Sequence, residues 1–356
     1  MAPGISWRLL RGYLRNTTIA VLKVSAIRLL TRSAFYSLHH LPAPPFIRST
    51  IYSLHHLSAP PLTIPSNIKS INLMTYKSLS LDIQDKIAHV QFIRPDQHNT
   101  MNTDFWIEFP KVIQEISDKA AARVIVMSST GKHFCAGMDL SVFTSGMASE
   151  SAVAPCRKSE NLRRSALQLQ AVFNLLETAR MPVLAAIQGA CIGGAVDMIS
   201  ACDSRYCTED AFFSIEETKL GMTADLGTLQ RLPHLIPQGL MRELAYTGRK
   251  MYADEAKSVG LINEVYGNHS DLLNGVMDIA GQIAAHSPLA VYGCKEMINY
   301  ARDHSVADSL NAIAYWQSGM FRPEIDMAEA FKAKMEKRAP VFSELCEVSG
   351  PFGPIA

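Results

Sequence analysis

The sequence predicts an α/β fold with a layered sheet, and two observations lead to that prediction. Short apolar runs alternate with stretches of helical periodicity from residue 79 onward. Two of these runs lead into turns that contain glycine, at Gly131 and at Gly189. A strand, a glycine turn and a helix therefore recur, as in layered α/β folds. With 48% hydrophobic residues, 34 Lys+Arg and 33 Asp+Glu, the chain is too apolar and too evenly charged for a disordered one.

The folded pattern begins with a predicted β-hairpin. Apolar and polar residues alternate over 79–83, and a second apolar run covers 87–93 after a short polar turn. Thr103 can cap the helix that follows, although Pro110 inside its apolar stripe is unfavourable for an unbroken helix. The remaining predicted strands are 124–127 and 183–187, and the remaining predicted helices are 167–176, 195–201, 271–285 and 289–303.

The N-terminal segment differs from the rest of the chain in charge. Residues 1–81 contain nine Lys or Arg and no Asp or Glu, which is typical of a mitochondrial transit peptide. A segment at 32–41 is repeated in similar form at 48–57, and each copy runs into prolines. Two copies are too few for a solenoid, and a metal site at their paired histidines is the less favoured alternative. We therefore predict that residues 1–74 are a transit peptide and flexible leader.

The composition of the body argues against several classes of protein. Beyond residue 81 the chain carries 25 basic and 33 acidic residues, which gives no electrostatic footprint for nucleic acid. No uninterrupted apolar run reaches the roughly 20 residues of a membrane span. The seven cysteines show neither metal-ligand spacing nor an even-numbered framework, so we expect reduced and mostly buried thiols.

Two glycine segments and three acidic residues are the candidate functional elements. Glycines in 131–140 and 189–194 would let backbone N–H groups approach a ligand closely. Neither segment matches a Walker loop or a dinucleotide fingerprint, which disfavours nucleotide hydrolysis and hydride transfer. Asp197, Glu217 and Asp225 stand in apolar company, which favours acid–base chemistry. Taken alone, each could be a cap or a surface residue, and Asp225 is a plausible helix N-cap.

Together these segments resemble the enoyl-CoA hydratase/isomerase (crotonase) family over roughly residues 75–340. Within it the chain is similar to the branch that converts 3,5-dienoyl-CoA to 2,4-dienoyl-CoA in the β-oxidation of unsaturated fatty acids. The resemblance implies a spiral core of ββα turns over 75–265 and a C-terminal helical region over 266–345 that forms trimers or hexamers, followed by a tail over 346–356. The stretches that carry the likeness are 189–203, 205–207, 210–213 and 224–233.

The resemblance also implies a role for each candidate residue. Ala136 and Gly194 would supply the two N–H groups of an oxyanion hole. Glu217 is assigned to C2 of the substrate and Asp225 to C6, with the reverse assignment open, and Asp197 would tune or orient the pair. No metal or redox cofactor is implied, since coenzyme A is part of the substrate. The residues expected to line the substrate are Ala136, Gly137, Met138, Asp139, Leu140 and Gly194.

Two other functions and one other location are the alternatives. An enoyl-CoA hydratase is disfavoured by aspartate at 197, where hydratases have glutamate, and by the additional Asp225. A non-catalytic RNA-binding member of the family is disfavoured by the acidic body. The expected location is the mitochondrial matrix, with the peroxisome as the alternative. The expected partners are an acyl-CoA thioester and further copies of the chain, without nucleic acid and without a membrane span.

Overall fold

Nine strands form two sheets in the part of the chain that the structure, a computed structural model, describes: residues 76–142 and 154–349. The larger sheet has the order β1-β2-β3-β4-β6-β9, and the smaller sheet has the order β5-β7-β8. β1 and β2 are the antiparallel hairpin that the sequence predicts, and the other neighbours in the larger sheet are parallel. The strands are β1 Leu79–Gln84, β2 Ile87–Phe92, β3 Val124–Ser129, β4 Val183–Ile187, β5 Ala190–Ile192, β6 Ser204–Thr208, β7 Phe212–Ser214, β8 Met251–Tyr252 and β9 Glu264–Tyr266.

Ten α-helices connect and cover these strands within the described residues. They are α1 Thr103–Asp118, α2 Pro155–Thr178, α3 Gly194–Ser200, α4 Thr228–Arg231, α5 Gln238–Thr247, α6 Ala253–Ser258, α7 His269–Ala284, α8 Pro288–Ala301, α9 Val306–Met320 and α10 Ala328–Glu336. The predicted leader and its duplicated segment lie outside the described residues, as does the last part of the predicted tail. The described residues belong to a compact unit that begins at Leu73.

The first helix departs from the sequence prediction in its cap. Its N-cap is Asn102, whose side chain accepts a hydrogen bond from the Phe105 amide at 3.0 Å, so Thr103 is already inside the helix. The helix continues through Pro110 to Asp118. Its buried face supplies aromatic side chains to the core, where the rings of Phe105 and Phe109 stack 4.9 Å apart.

Side chains along a strand point alternately to its two faces. Apolar clusters cover both faces of the larger sheet. On β3, Ile125 and Met127 join the main core, whereas Val124 and Val126 face a second apolar cluster. Helix α7 supplies that second cluster with Leu272, Val276 and Ala280 at i, i+4 spacing. This arrangement explains the continuous apolar runs, from which the sequence predicts strands that are buried on both faces.

Two buried cations attach the C-terminal part to the core. The Lys295 ammonium donates to the backbone carbonyl of Leu176 at 2.6 Å and to the Asp203 carboxylate at 2.8 Å. Arg123 donates to the backbone carbonyl of Phe342 at 2.7 Å and binds the Glu344 carboxylate. Such charges remain buried because hydrogen bonds satisfy them. Among the described helices, none is both long and apolar enough to cross a bilayer.

Candidate active site

The first glycine segment leaves β3 and runs between two other parts of the chain. Cys135 forms an isolated parallel bridge with Cys191 of β5, and Met138 forms one with Met101. The Met101 amide donates to the Gly137 carbonyl at 2.9 Å, and the Asp139 amide donates to the Met101 carbonyl at 3.2 Å. Because successive amides in an extended chain point in opposite directions, the Met138 N–H points away from Met101.

The backbone amides here correct one residue of the predicted oxyanion hole. The Ala136 amide donates to the His98 carbonyl at 3.0 Å, so it is already bonded within the protein, and its prediction as a free donor is wrong. The amides of Met138 and Gly194 have no acceptor among the residues that the structure describes. The Met138 nitrogen lies 3.9 Å from the position that a Cβ on Gly194 would occupy. These two adjacent amides form the pair of unoccupied donors.

Glycine is required at two positions around this pair. Gly137 has a φ of +87°, and a Cβ there would lie 2.7 Å from the backbone oxygen of Ile192. Gly193 has a φ of +55°, and a Cβ there would lie 3.2 Å from Oε1 of Glu217. Side chains at either position would be strained and would crowd the donors or the acid. The two glycine segments of the sequence thus meet at one place.

Polar side chains hold the loops that carry the donors. Asn99 is buried, accepts a hydrogen bond from the Arg94 amide at 2.8 Å and donates to the backbone carbonyls of Thr130 and His133, both at 2.9 Å. It therefore joins the loop after β2 to the loop after β3.

The Asp139 carboxylate belongs to the same support. Hydrogen bonds from the side chain and then the backbone of Ser141 lower the pKa of Asp139, and the Thr100 hydroxyl donates to it at 3.0 Å. These contacts give the carboxylate a structural role near the end of the stretch that is predicted to line the substrate. Leu140, by contrast, is largely exposed.

The three predicted acids lie within electrostatic reach of one another. Asp197 is 1% exposed on the first turn of α3, and its Oδ1 accepts a hydrogen bond from the Thr228 amide at 2.6 Å. Burial raises the pKa of Asp197 to about 6, and the negative charge of Asp225 acts in the same direction. The hydrogen bonds from Thr228 oppose that rise.

Glu217 has the properties of a general base that works near neutral pH. Burial raises its pKa to about 7, and the negative charges of Asp197 and Asp225 also raise it. Its Oε2 atom is buried and has no hydrogen-bond partner among the described residues. A carboxyl group that ionises near pH 7 and keeps one oxygen unbonded is suited to proton transfer.

Asp225 has an exposed side chain in the turn between Gly221 and Gly227. The alternative that it caps a helix is wrong, because α4 begins only at Thr228, with Gly227 at the N-cap position. The carboxylate that bonds the Thr228 amide belongs to Asp197 instead. Sequence reasoning missed Thr228, and no local pattern could have found it, since it lies 31 residues from Asp197. Within the described residues, no cluster of three His, Cys, Asp or Glu side chains could hold a metal ion.

The fold and site define a class of protein in which paired backbone amides face acidic side chains beside a ββα core. Residues 82–345 match the enoyl-CoA hydratase/isomerase family, so the chain belongs to that family. The peroxisomal Δ(3,5)-Δ(2,4)-dienoyl-CoA isomerase of Arabidopsis thaliana is 44% identical over 279 residues, which are 77% of this chain and 100% of that protein. The mitochondrial enzyme of the same name from Mus musculus is 42% identical over 265 residues, or 74% of this chain and 81% of that one.

Solved structures agree with the family assignment. The crystal structure of enoyl-CoA hydratase from Bacillus anthracis matches with a TM-score of 0.66 and 30% identity, covering 75% of this chain and 99% of that one. The family and the crotonase-like α/β fold that the sequence predicts are therefore confirmed.

Proposed function

We propose that the chain is a Δ3,5-Δ2,4-dienoyl-CoA isomerase, which converts 3,5-dienoyl-CoA to 2,4-dienoyl-CoA. The observation that carries this conclusion is the third acid, Asp225, which stands within electrostatic reach of Glu217 in addition to Asp197. The 42–44% identity to two proteins named as this isomerase supports the same activity. The reaction moves both double bonds by one carbon, so a proton must leave C2 and another must reach C6.

The first step creates an enolate, and the free amides are suited to stabilise it. With the thioester oxygen bound between the N–H groups of Met138 and Gly194, negative charge develops directly against two preorganised donors. Loss of one such donor typically costs about 10²–10³ in rate. This charge arises as Glu217 removes the C2 proton with its unbonded Oε2 and the electron pair of the C–H bond moves towards the thioester oxygen.

The second step uses the conjugation of the substrate. The electron pair released at C2 delocalises along the diene, and protonation at C6 leaves double bonds at C2 and C4. Asp225, whose side chain is exposed, donates this proton. One turnover leaves the C2 proton on Glu217 and a negative charge on Asp225, so Glu217 must release a proton to water and Asp225 must take one up before the next turnover. No electron acceptor is needed because the substrate is neither oxidised nor reduced. We accordingly expect the activity to survive exhaustive dialysis against a chelator, with no metal or redox cofactor added.

Hydration of a 2-enoyl-CoA is the competing activity. A hydratase needs two acids that hold one water beside C2 and C3. Here Oδ1 of Asp197 already accepts a hydrogen bond from the Thr228 amide, which occupies one of the two carboxylate oxygens that could hold such a water. Within residues 76–142 and 154–349, no structural observation favours either this alternative or RNA binding.

The decisive experiment offers purified protein 3,5-dienoyl-CoA and follows the absorbance of the conjugated 2,4-dienoyl product. A parallel assay offers a 2-enoyl-CoA and follows its hydration. We expect isomerisation to dominate. Fast hydration without isomerisation would overturn the proposal in favour of the hydratase.

The proposed location is the mitochondrial matrix, with the peroxisome as the alternative. The acid-free N-terminal segment supports import. The relatives differ on this point, since the Arabidopsis thaliana protein is named peroxisomal and the Mus musculus protein mitochondrial. A fluorescent fusion of residues 1–75 should enter mitochondria. Retention of the fusion in the cytosol would contradict the transit-peptide proposal.

Self-association through the C-terminal helices is the proposed assembly, as a trimer or a hexamer. Val306 and Tyr315 of α9 and Phe331 and Met335 of α10 are all more than half exposed, an unusual amount of apolar surface for one region. Trp316 also lines an apolar cavity of about 670 Å³ among these helices, none of whose lining residues belongs to the candidate active site. Light scattering should report a mass of three or six chains, and a monomer would contradict the proposal.

A further inference from the structure

The turn that carries Asp225 is held at its main chain by two side chains. Gln170 of α2 donates to the Asp225 carbonyl at 2.7 Å, and Arg231, the last residue of α4, donates from Nη1 to the Leu226 carbonyl at 3.3 Å. The Arg231 guanidinium also lies against Gly227, since a Cβ on that glycine would collide with Nη1. The two residues after Asp225 therefore rest on one arginine side chain.

Arg231 is in turn anchored to helix α2. Its Nη2 atom donates to Oδ1 of Asn174 at 2.5 Å and to Oε2 of Glu177 at 2.7 Å. The side chains of Arg231 and Glu177 are only 10% and 16% exposed, so water screens their ion pair little. Loss of one partner from such a pair leaves the other charge buried without compensation, which costs far more than breaking a surface pair.

The other carboxylate oxygen of Glu177 binds the C-terminal region. Arg302, which directly follows α8, donates from Nη1 to Oε1 of Glu177, and Asn299 of α8 donates to the Glu177 backbone carbonyl at 3.1 Å. Although burial alone would raise the pKa of Glu177, hydrogen bonds and positive charges from Arg231 and Arg302 bring it below its ordinary value. Glu177 is therefore ionised at neutral pH, and it joins a cation beside the turn to a cation of the C-terminal helices.

Glu217 is held by different contacts. Its neighbour Thr218 donates from its hydroxyl group to the Ala245 carbonyl of α5 at 3.0 Å, and the Glu217 backbone carbonyl accepts from the Met222 amide at 2.9 Å. The two acids that are assigned to proton transfer thus depend on separate supports. A change at Glu177 should therefore displace Asp225 more than Glu217.

We propose that Glu177 and Arg231 are positioning residues for Asp225, and that Arg302 makes the same proton transfer dependent on the packing of α8 against α2. This inference rests on the proposed isomerase function. It gives the C-terminal helices a task within each protomer, separate from their proposed task in self-association. Because the three side chains act through the main chain of the turn and not on the substrate, their effect should appear in kcat rather than in KM.

Substitutions at Glu177 and Arg302 test the two ends of the network. Glu177→Gln keeps the shape of the side chain but removes its charge and one of its two acceptors. We expect its kcat to fall by about tenfold, within the roughly 100-fold that a displacement of about 1 Å can cost. Arg302→Ala should lower kcat by a smaller factor, about threefold to fivefold, because the buried pair of Glu177 and Arg231 remains in place.

Lysine substitutions separate the two arginines. Arg302→Lys should recover most of the loss seen in Arg302→Ala, because Arg302 reaches Glu177 through a single nitrogen. Arg231→Lys should instead behave like Glu177→Gln, because Arg231 binds in two directions through two nitrogens and lysine has only one. Thermal melts verify that each variant is folded.

Arg338→Ala is the matched control for Arg302→Ala. Arg338 belongs to the same C-terminal region, and it and its partner Glu329 are about as exposed as Arg302 and Glu177. Glu329 lies on α10, however, and not on α2. We expect Arg338→Ala to leave turnover unchanged and both variants to keep the mass of the unmodified protein in light scattering. A loss of turnover that appears only with dissociation of Arg302→Ala would overturn the role of Arg302.

The readout is a comparison of two proton-transfer steps. In D₂O, deuterium uptake at C2 of the recovered 3,5-dienoyl-CoA reports the step at C2, and formation of the 2,4-dienoyl product reports the complete reaction. Asp225→Asn and Glu217→Gln provide the two reference ratios of uptake to product. Glu177→Gln and Arg302→Ala should shift this ratio in the direction of Asp225→Asn, whichever acid serves C2. A merely structural loss would lower both rates together and leave the ratio unchanged.

Three results would overturn the inference. The first is a folded Glu177→Gln protein with the ratio and the kcat of the unmodified protein. The second is an Arg302→Ala protein that is indistinguishable from Arg338→Ala, a comparison that stands even if Glu177→Gln fails to fold. The third is a ratio that shifts towards that of Glu217→Gln in either variant. Failure of the proposed function is distinct, because the unmodified protein would then form no 2,4-dienoyl product at all.

Discussion

Gln170 of helix α2 donates a hydrogen bond to the backbone carbonyl of Asp225 at 2.7 Å, while the carboxyl group of Asp225 remains exposed. The main chain of the turn is thus fixed at the residue whose side chain is open to water. A proton donor that is reloaded from solvent needs both properties, since its position must be defined and its proton must exchange. The same turn is bonded to Asp197 through Thr228, so Asp225 is held from two sides.

The first prediction concerns Asp225→Asn, which keeps the shape of the side chain and removes its proton-transfer function. General acid–base catalysis contributes roughly 10²–10⁴-fold, so we expect turnover to fall by at least about 100-fold. Binding of the CoA ester should change little, because the amides of Met138 and Gly194 are untouched. Steady-state kinetics on 3,5-dienoyl-CoA, with thermal melts to verify folding, measure this. A folded variant with near-normal turnover would show that Asp225 is only a surface residue of the turn.

The second prediction concerns the pH dependence of the reaction. Glu217 accepts the C2 proton only when ionised, and burial together with the charges of Asp197, Asp225 and Glu216 raises its pKa to about 7. We expect kcat/KM to increase with pH along an ascending limb whose midpoint lies near pH 7. In Asp197→Asn one of the repelling charges is absent, so this limb should move to lower pH. A limb that stays near pH 4–5 in the unmodified protein would contradict the assignment of Glu217 as the base.

The third prediction concerns stability and follows from the same shift. The folded pKa of Glu217 lies above its ordinary value of 4.5, so between pH 4.5 and about 7 the folded state binds more protons than the unfolded state. Stability attributable to this group therefore falls as pH rises through that window. Glu217→Gln removes the penalty. We expect its Tm to exceed that of the unmodified protein by about 2–6 °C at pH 8, after allowance for partial exposure, and to match it below pH 4.5.

Glu216 provides the control for this measurement. Although burial alone would raise its pKa, hydrogen bonds from Ser214 and Lys219 bring it below the ordinary value. Its ionised form is therefore stabilised in the folded state, and Glu216→Gln should lower the Tm at pH 8. The same direction of change in both variants would mean that burial of Glu217 does not govern its ionisation.

Local sequence patterns predicted the helices and strands well, because the burial of each side chain determines which positions are apolar. The apolar run 183–187 is β4 in the structure, and the alternation over 79–83 lies within β1. The three acids were also recognisable in the sequence, since carboxylates among apolar residues are conspicuous. Asn102 was missed as the cap of α1 because Thr103, beside it, is an equally plausible capping residue.

The two free amides, and the hydrogen bond between Asp197 and Thr228, could not be predicted from the sequence, for a geometric reason. Whether the amide of Ala136 or of Met138 is free depends on the register against His98 and Met101, which lie 38 and 37 residues earlier in the chain. A shift of one residue in such a register reverses which amides are bonded. The contact between Asp197 and Thr228 likewise joins two separate helices, so no spacing in the sequence predicts it.

The last prediction tests the corrected donor through the residue next to it. Gly137→Ala would place a Cβ 2.7 Å from the Ile192 oxygen at a φ of +87°, so the backbone must shift and carry the Met138 amide with it. We expect kcat to fall by about 100-fold, since an oxyanion donor acts only at a defined distance.

Gly260→Ala is the matched control. Gly260 has the same φ of +87°, but its Cβ would meet nothing closer than the Leu235 oxygen at 3.7 Å, and it lies outside the site. Both variants should lose stability through backbone strain, whereas only Gly137→Ala should lose turnover. Equal kcat values for the two variants would show that the Met138 amide is not a donor to the thioester oxygen.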